Sequence, residues 1–434
     1  MLSPDYLIYA SDDVANIYSD LHTATLNDIT RRIVKSVQRF GTTEATATTA
    51  YQFERLRYSG LSQEEIERRL SEMFVYDLET NRNINDLNAE TLKRIRATLT
   101  LSREKVRELF EDMAVKNYRT ESTIYNQAEI SPPPIDNYIR IVNSNIQRVN
   151  TDLRNMTGTF AINAEQRFKN ILSTAYGKTA SGAFSYTEAV NSAVDELVRE
   201  GIKTRTGGGE KDYVFAYASG REISLEAAVL MNVRTSVNQT AAEMTKQMMI
   251  DTGTSYVQVS AHLNARNKGE GHINHESWQG GVYYWKEIAT EPNVDPSKYK
   301  DFVTTCGYGL VDGIHGPNCR HGEGAFIPGM TNIIHSKKEL EEMAKTRYIF
   351  VDPITNEKYN LDPYAASQMQ RDMEREERNH KRKSEIYSAA GNVTPRITVK
   401  SRKANAKIEE WQYRLREFTE QTGLKRQYFR EKIA

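Results

Sequence analysis

The sequence has only two cysteines in 434 residues, Cys306 and Cys319, too few for a disulfide framework, which excludes the small secreted scaffolds that depend on one. It also lacks net charge. Lysine plus arginine and aspartate plus glutamate each total 58, so the whole chain carries no field to gather nucleic acid or an anionic membrane, and such a partner must be held by a local patch. No stretch nears the roughly 18 to 20 apolar residues needed to span a bilayer, and mean hydropathy is −0.65. The opening segment, Met1-Leu2-Ser3-Pro4-Asp5-Tyr6, has neither the basic start nor the apolar run of a secretory signal, so the expectation is synthesis in a reducing cytoplasm with no membrane partner. Gly-x-Ser-x-Gly, a dinucleotide fingerprint and His-Glu-x-x-His are absent, which leaves standard hydrolase and oxidoreductase sites without support. What remains is a long, polar chain, enough for two or three folding units at roughly 150 residues each.

Periodicity makes the chain mainly α with a small, loop-rich α+β domain near the middle and C-terminal half. From Val14, apolar residues recur at three or four through Ile17, Tyr18, Leu21, Leu26, Ile29, Ile33, Val37 and Phe40, one face of a long helix that Gly41 stops. Ser62 with Glu65 reads as a capping box, and further cues at Asn88 and Ser102 suggest short helices joined by turns as far as Tyr125. Pro132, Pro133 and Pro134 close this N-terminal helical region, residues 1–130. A second helical region, 131–212, reads as Ile139 to Leu153, Gln166 to Tyr176 and Tyr186 to Val198, followed by a flexible Gly207-Gly208-Gly209 turn. The α+β region, 213–330, is expected to hold strands at Tyr213 to Tyr217, Tyr256 to Val259 and Val282 to Trp285, and a helix from Ser224 to Asp251. Residues 331–434 read as a C-terminal helical hairpin region: Lys337 to Ala344, a β-hairpin around Asp352-Pro353, then Pro363 to Ser388 and Ser401 to Thr422. The last helix carries a seam of Ala404, Ile408, Trp411, Leu415 and Phe418.

His262, His272, His275, His315 and His321 crowd into the same segment as both cysteines. Imidazole and thiolate are the usual ligands of zinc, and a loop-rich segment gains much from a four-ligand clip, so His262, His275, Cys319 and His321 are the candidate set. Cys319-Arg320-His321 is closer than a simple finger's spacing. Two other readings stand beside it. The histidines can be hydrogen-bonding struts for loop carbonyls, or His272-Ile273-Asn274-His275-Glu276 can be a fragment of a metal-dependent His-Asn-His nuclease, although no helical pattern follows His321 to complete one.

The strings Ser260-Ala261-His262, Ala265-Arg266, His275-Glu276-Ser277-Trp278-Gln279-Gly280, Gly316-Pro317-Asn318-Cys319-Arg320-His321 and Phe326-Ile327-Pro328-Gly329, in this order, resemble the minor capsid protein 2 family of tailed phages. That family is related to the head-morphogenesis proteins of Mu-like phages. The resemblance singles out Arg266, Trp278, Gln279, Gly280, Asn318 and Arg320 as family-motif positions. It implies a non-enzymatic virion component, made in the host cytoplasm, associated with the portal or the head interior, and acting in head assembly or DNA delivery. Portal and capsid components are then the implied partners. The stretch from Asn267 to Asn274 is longer than the family's usual connection, which makes His272 a poor ligand, and Cys306 stands where the family generally has no cysteine.

Two alternatives remain: a metal-dependent nuclease or hydrolase carried in the head, and an internal protein that touches packaged DNA. The second rests on residues 366–434, where 17 lysines and arginines face 10 aspartates and glutamates. Lys381, Arg382, Lys383, Lys400, Arg402 and Lys403 form its short basic runs and imply weak, sequence-independent, salt-sensitive contact at most. The helical seams offer more apolar stripe than one small core needs, which predicts docking to the portal.

Overall fold

The computed structural model describes residues 1–9, 11–40, 60, 62–180, 185–202, 224–290 and 298–433. The chain begins with a short helix α1 (Pro4–Tyr9) and a long α2 (Asp12–Phe40). Asp12 and Asp13 in the first turn of α2 oppose the helix dipole, and its apolar stripe is buried from Val14 to Val37. The expected short helices up to Tyr125 are instead one helix, α3 (Gln63–Gln127). The apparent caps have found tertiary partners: Asn88 donates to Glu165, while the Ser102 hydroxyl bonds the Leu99 carbonyl and meets the Tyr18 hydroxyl at 3.2 Å. Asn88 is thereby drawn away from the local backbone, and Ser102 bonds back to the preceding turn in a way a helix accommodates, so the helix runs on.

The prolines break the chain as expected, and α4 (Ile139–Ala180) follows. The expected gap between Leu153 and Gln166 is helical. Thr157 bonds back to the Leu153 carbonyl, and buried Phe160 and Ala164 pack on the core, so packing overrides the poor propensity of Thr157, Gly158 and Thr159. Helix α5 (Tyr186–Glu200) starts at a full Ser185–Glu188 capping box and stops at Gly201. Helix α6 (Leu225–Thr252) has Ser224 as N-cap and Gly253 in the left-handed C-cap. Gly41, Gly207 to Gly209 and the expected strand Tyr213 to Tyr217 lie outside the described residues. Helices α2 to α6 share one apolar core, within which Tyr18, Phe110, Tyr138, Phe160 and Phe168 are fully buried.

Beyond Gly253 the chain builds a three-stranded antiparallel sheet in the order β2-β1-β3, with β1 (Tyr256–Val259) between β2 (Val282–Tyr284) and β3 (Glu323–Phe326). Val257 pairs with Tyr283 on one side and Ala325 on the other. Strand β3 was not legible, since Glu323-Gly324-Ala325-Phe326 has little β-propensity; it is a strand because α3 and α6 cover it. The loop between β2 and β3 contains the short helix α7 (Phe302–Cys306). The C-terminal part comprises α8 (Lys337–Lys345), a hairpin of β4 (Tyr348–Val351) and β5 (Lys358–Leu361), α9 (Pro363–Ala390), α10 (Pro395–Thr422) and the short α11 (Tyr428–Glu431). Helix α10 begins a turn and a half before the expected Ser401, where Thr394 caps it and Pro395 takes the first position.

The seam of α10 is used within the chain. Leu415 and Phe418 pack with Phe350, Ala366 and Met373 in a second small core, and Trp411 lies against it. Arg414 ties hairpin to helix: its Nε lies 3.2 and 3.1 Å from the two Asp352 oxygens and its Nη2 bonds the same carboxylate. Burial works against a charged Asp352, but Arg414 and the turn amides of Ile354 and Thr355 prevail and hold its carboxyl below the usual range. Arg414→Ala is expected to cost about 2 kcal/mol, less than a fully buried pair because the guanidinium keeps some contact with water. Urea unfolding of the two proteins measures the difference.

Candidate functional site

The histidine and cysteine residues meet where three loops close over the end of β1. The first leaves β1 through Ser260-Ala261-His262. The second enters β2 through a 3-10 turn, His275–Ser277, and reaches Gly280 at φ +69°. The third runs from Cys306 to β3 and packs backbone on backbone: a Cβ at Gly313 would collide with the Gly307 carbonyl, and one at Gly316 with the Val311 carbonyl. Asn318 lies in the left-handed region at φ +65°, which asparagine tolerates better than most residues, and this turn directs Cys319 inward. Helix α6 clamps the result, with Asn238 donating to the carbonyls of Cys319 (3.4 Å) and His321 (3.0 Å).

Three of the four candidate ligands converge. One ligand atom from each of His275, Cys319 and His321 lies within 4.8 Å of the others, and the residues are 4, 5 and 1% exposed. Cys319 Sγ is 3.8 Å from His275 Nδ1 and 3.6 Å from His321 Nδ1. The other ring nitrogens fix the tautomers. His275 Nε2 is 2.9 Å from the Asp312 carbonyl, which can only accept, so Nε2 carries the hydrogen and Nδ1 is bare. His321 Nε2 is 3.2 Å from Gln279 Oε1, which also accepts the His262 amide; this oxygen too can only accept, and His321 Nδ1 is likewise bare. Both lone pairs therefore sit beside the sulfur. The backbone at His321 and His315 acts to lower the Cys319 thiol, against the larger effect of burial.

His262 is adjacent to the trio but outside it. Its ring stacks on that of His321 with centroids 4.4 Å apart, its Nδ1 meets Asn264 Oδ1 at 3.1 Å, and its Nε2 is shut off from water with no hydrogen-bond partner. Trp278 packs on His275 and His321 and donates its indole hydrogen to the His272 carbonyl at 3.0 Å. Burial sets the electrostatics. It pushes His275 down to about 4 and His262 and His321 well below the ordinary imidazole value, and it raises the Cys319 thiol to about 11. Arg320, buried beside Arg371, Arg430 and Arg234, is lowered to about 9, chiefly by burial, and contacts the Asn264 carbonyl at 3.5 Å.

The remaining candidates are dispersed. His272 pairs with Asp312 at the rim and stays out of the cluster, as its place in the longer connection implies. His315 forms a buried pair with Glu323, and Cys306 is a free, buried thiol near the Tyr283 hydroxyl. Arg266 contributes its carbonyl to the Glu276 amide. Of the basic runs, Lys381 pairs with Glu377, Arg382 with Glu226 and Lys400 with Asp195; Arg402 and Lys403 are exposed and Lys383 is half-buried. Sequence reasoning missed the roles of Asp312 and Asn238. The first acts through its carbonyl and leaves no signal, whereas an asparagine on the apolar face between Val237 and Ala241 was a readable one.

The sequence profile of the phage minor capsid protein 2 family matches residues 77–420. The chain belongs to the phage minor capsid protein 2 family. Comparison with curated proteins and with solved structures gave no match. Membership makes the chain a structural component of a phage virion, and the match takes in all the described site residues from Asn238 to His321, the whole of α9 and all but the last two residues of α10. Among the described residues, no helix is long and apolar enough to cross a membrane. A surface cleft of about 330 Å³ reaches His262 and Asn264 but is not lined by His275, Cys319 or His321, so the trio offers no open position to a substrate.

Proposed function

We propose that this minor capsid protein docks on the portal, at the inner side of the head, and acts in head assembly or DNA delivery without catalysing a reaction. The observation that carries the reading is the family match over most of the chain. The seams expected to meet a partner do not all serve one, since that of α10 is spent on the second core. The loop after β3 does stay open: Met330, Ile333 and Ile334, close together along the chain, are more than half exposed and belong to neither core. A packaged-DNA neighbour has weaker support, since three of the six basic residues are engaged with carboxylates of the same chain.

Co-expression with the portal protein of the same phage is the test. The two proteins are expected to copurify, and Ile333→Asp with Ile334→Asp to weaken the association by about tenfold or more at unchanged thermal stability. Absence of association, together with absence from purified virions by mass spectrometry, would overturn the reading. DNA affinity that persists at high salt would favour the DNA-contact alternative, because contacts made only to phosphate fade steeply with salt. Metal-dependent cleavage of DNA lost in His275→Ala would favour the nuclease.

A further inference from the structure

We propose that His275 Nδ1, Cys319 Sγ and His321 Nδ1 bind a divalent metal ion, zinc by the softness of the donors, and that His262 Nε2 closes the site as the fourth ligand. The inference does not depend on the portal reading. A tetrahedral zinc ion with bonds of about 2.0 Å to nitrogen and 2.3 Å to sulfur separates neighbouring ligand atoms by roughly 3.5 Å; the two nitrogen-to-sulfur distances here, 3.8 and 3.6 Å, lie close to that edge.

Hydrogen bonds outside the donors point the same way. A metal-binding imidazole characteristically gives its second nitrogen's hydrogen to a carbonyl or similar acceptor, which fixes the ring and leaves the other lone pair for the metal. His275 does this through the Asp312 carbonyl and His321 through Gln279, and Gln279 is itself held in orientation by the His262 amide. Plain hydrogen-bonding struts would not need this arrangement, since it leaves two bare lone pairs facing a thiol that has a single hydrogen to share. As the metal–sulfur bond forms, the thiol hydrogen leaves to solvent as a proton. His262 supplies the remaining donor: Asn264 satisfies its Nδ1, and its Nε2 is sealed from water without a partner, at a cost that coordination would remove. Four protein ligands that leave no open coordination position make the site structural. It would pin together three loops, the third of which packs backbone on backbone at Gly313 and Gly316.

The two cysteines make the assignment decidable on the full-length protein. Cobalt(II) added to the metal-free chain is expected to give the intense visible bands of tetrahedral coordination and a thiolate-to-cobalt charge-transfer band in the near ultraviolet. About one equivalent of zinc should displace it and remain through dialysis. The charge-transfer band should persist in Cys306→Ser and vanish in Cys319→Ser; if the latter fails to fold, persistence in Cys306→Ser still assigns the sulfur to Cys319. In His262→Gln, zinc affinity should fall by more than about a hundredfold, beyond the cost of losing an outer hydrogen bond. Failure of the parent to give a charge-transfer band, or its loss in Cys306→Ser, would overturn the site, and unchanged zinc affinity in His262→Gln would overturn its closure by His262.

Discussion

Acidification from pH 7.5 to pH 5.5 is expected to remove about 4 kcal/mol of stability from the metal-free protein through the site histidines alone. His262, His275 and His321 are all held neutral in the folded state, His275 at about 4 and the other two well below the ordinary value, primarily because burial disfavours the charged ring. In the unfolded chain each titrates near 6.5. Below that pH the unfolded state binds protons that the folded state refuses, so stability falls as pH falls, by about 1.4 kcal/mol per unit for each histidine, until the folded-state value is reached. Above about pH 7.5 these residues contribute no slope. His22, buried in the helical bundle with Arg382 nearby, adds in the same direction. Urea unfolding with a chelator present, measured across this range, gives the slope directly, and His262→Gln should remove about one histidine's share. A profile flat between pH 7.5 and 5.5 would mean that these rings titrate in the fold as they do in the unfolded chain.

The same burial explains which parts of the molecule could be read from its residues. Helix α6 was legible at both ends because the Ser224 hydroxyl caps its first turn and Gly253 adopts the left-handed conformation at its last. The β4–β5 hairpin was legible because Asp352 accepts the Ile354 amide and nucleates the turn with its own side chain. By contrast, nothing local says that Asn88 will reach Glu165 or that Ser102 will meet Tyr18, and without those contacts α3 reads as several helices. Residue types brought the site within reach: histidine and cysteine concentrated in one stretch with little other explanation. Which three of them converge depended on the Asp312 carbonyl, the Gln279 side chain and the left-handed turn at Asn318. Of these, only Gln279 and Asn318 show in the sequence, as members of the family's strings.

Trp285 is the side chain whose removal should cost the α+β unit most. It follows β2, is fully buried, and packs with Phe302 and Tyr308, each ring centroid 4.8 Å away, while Lys246 of α6 lies 5.1 Å from its ring. Its backbone amide donates to the Ser255 carbonyl at 2.8 Å, which holds the end of β2 against the start of β1. Trp285→Ala therefore empties a space bounded by two aromatic rings and a helix, none of which can collapse far, because Phe302 is held by the α7 turn and Tyr308 by its amide bond to the Val303 carbonyl. A loss of about 3 to 5 kcal/mol is expected. Trp285→Phe separates volume from polarity. The indole hydrogen has no acceptor in its buried position, so phenylalanine gives up no hydrogen bond and leaves only a small void. That variant should lose about 1 to 2 kcal/mol, since some of the cavity cost is offset by removing an unsatisfied polar group. Equal losses in the two variants would show that the indole nitrogen, and not the packed ring, carries the contribution of Trp285, whereas near-neutral behaviour of Trp285→Ala would show that the sheet and α6 do not depend on this contact.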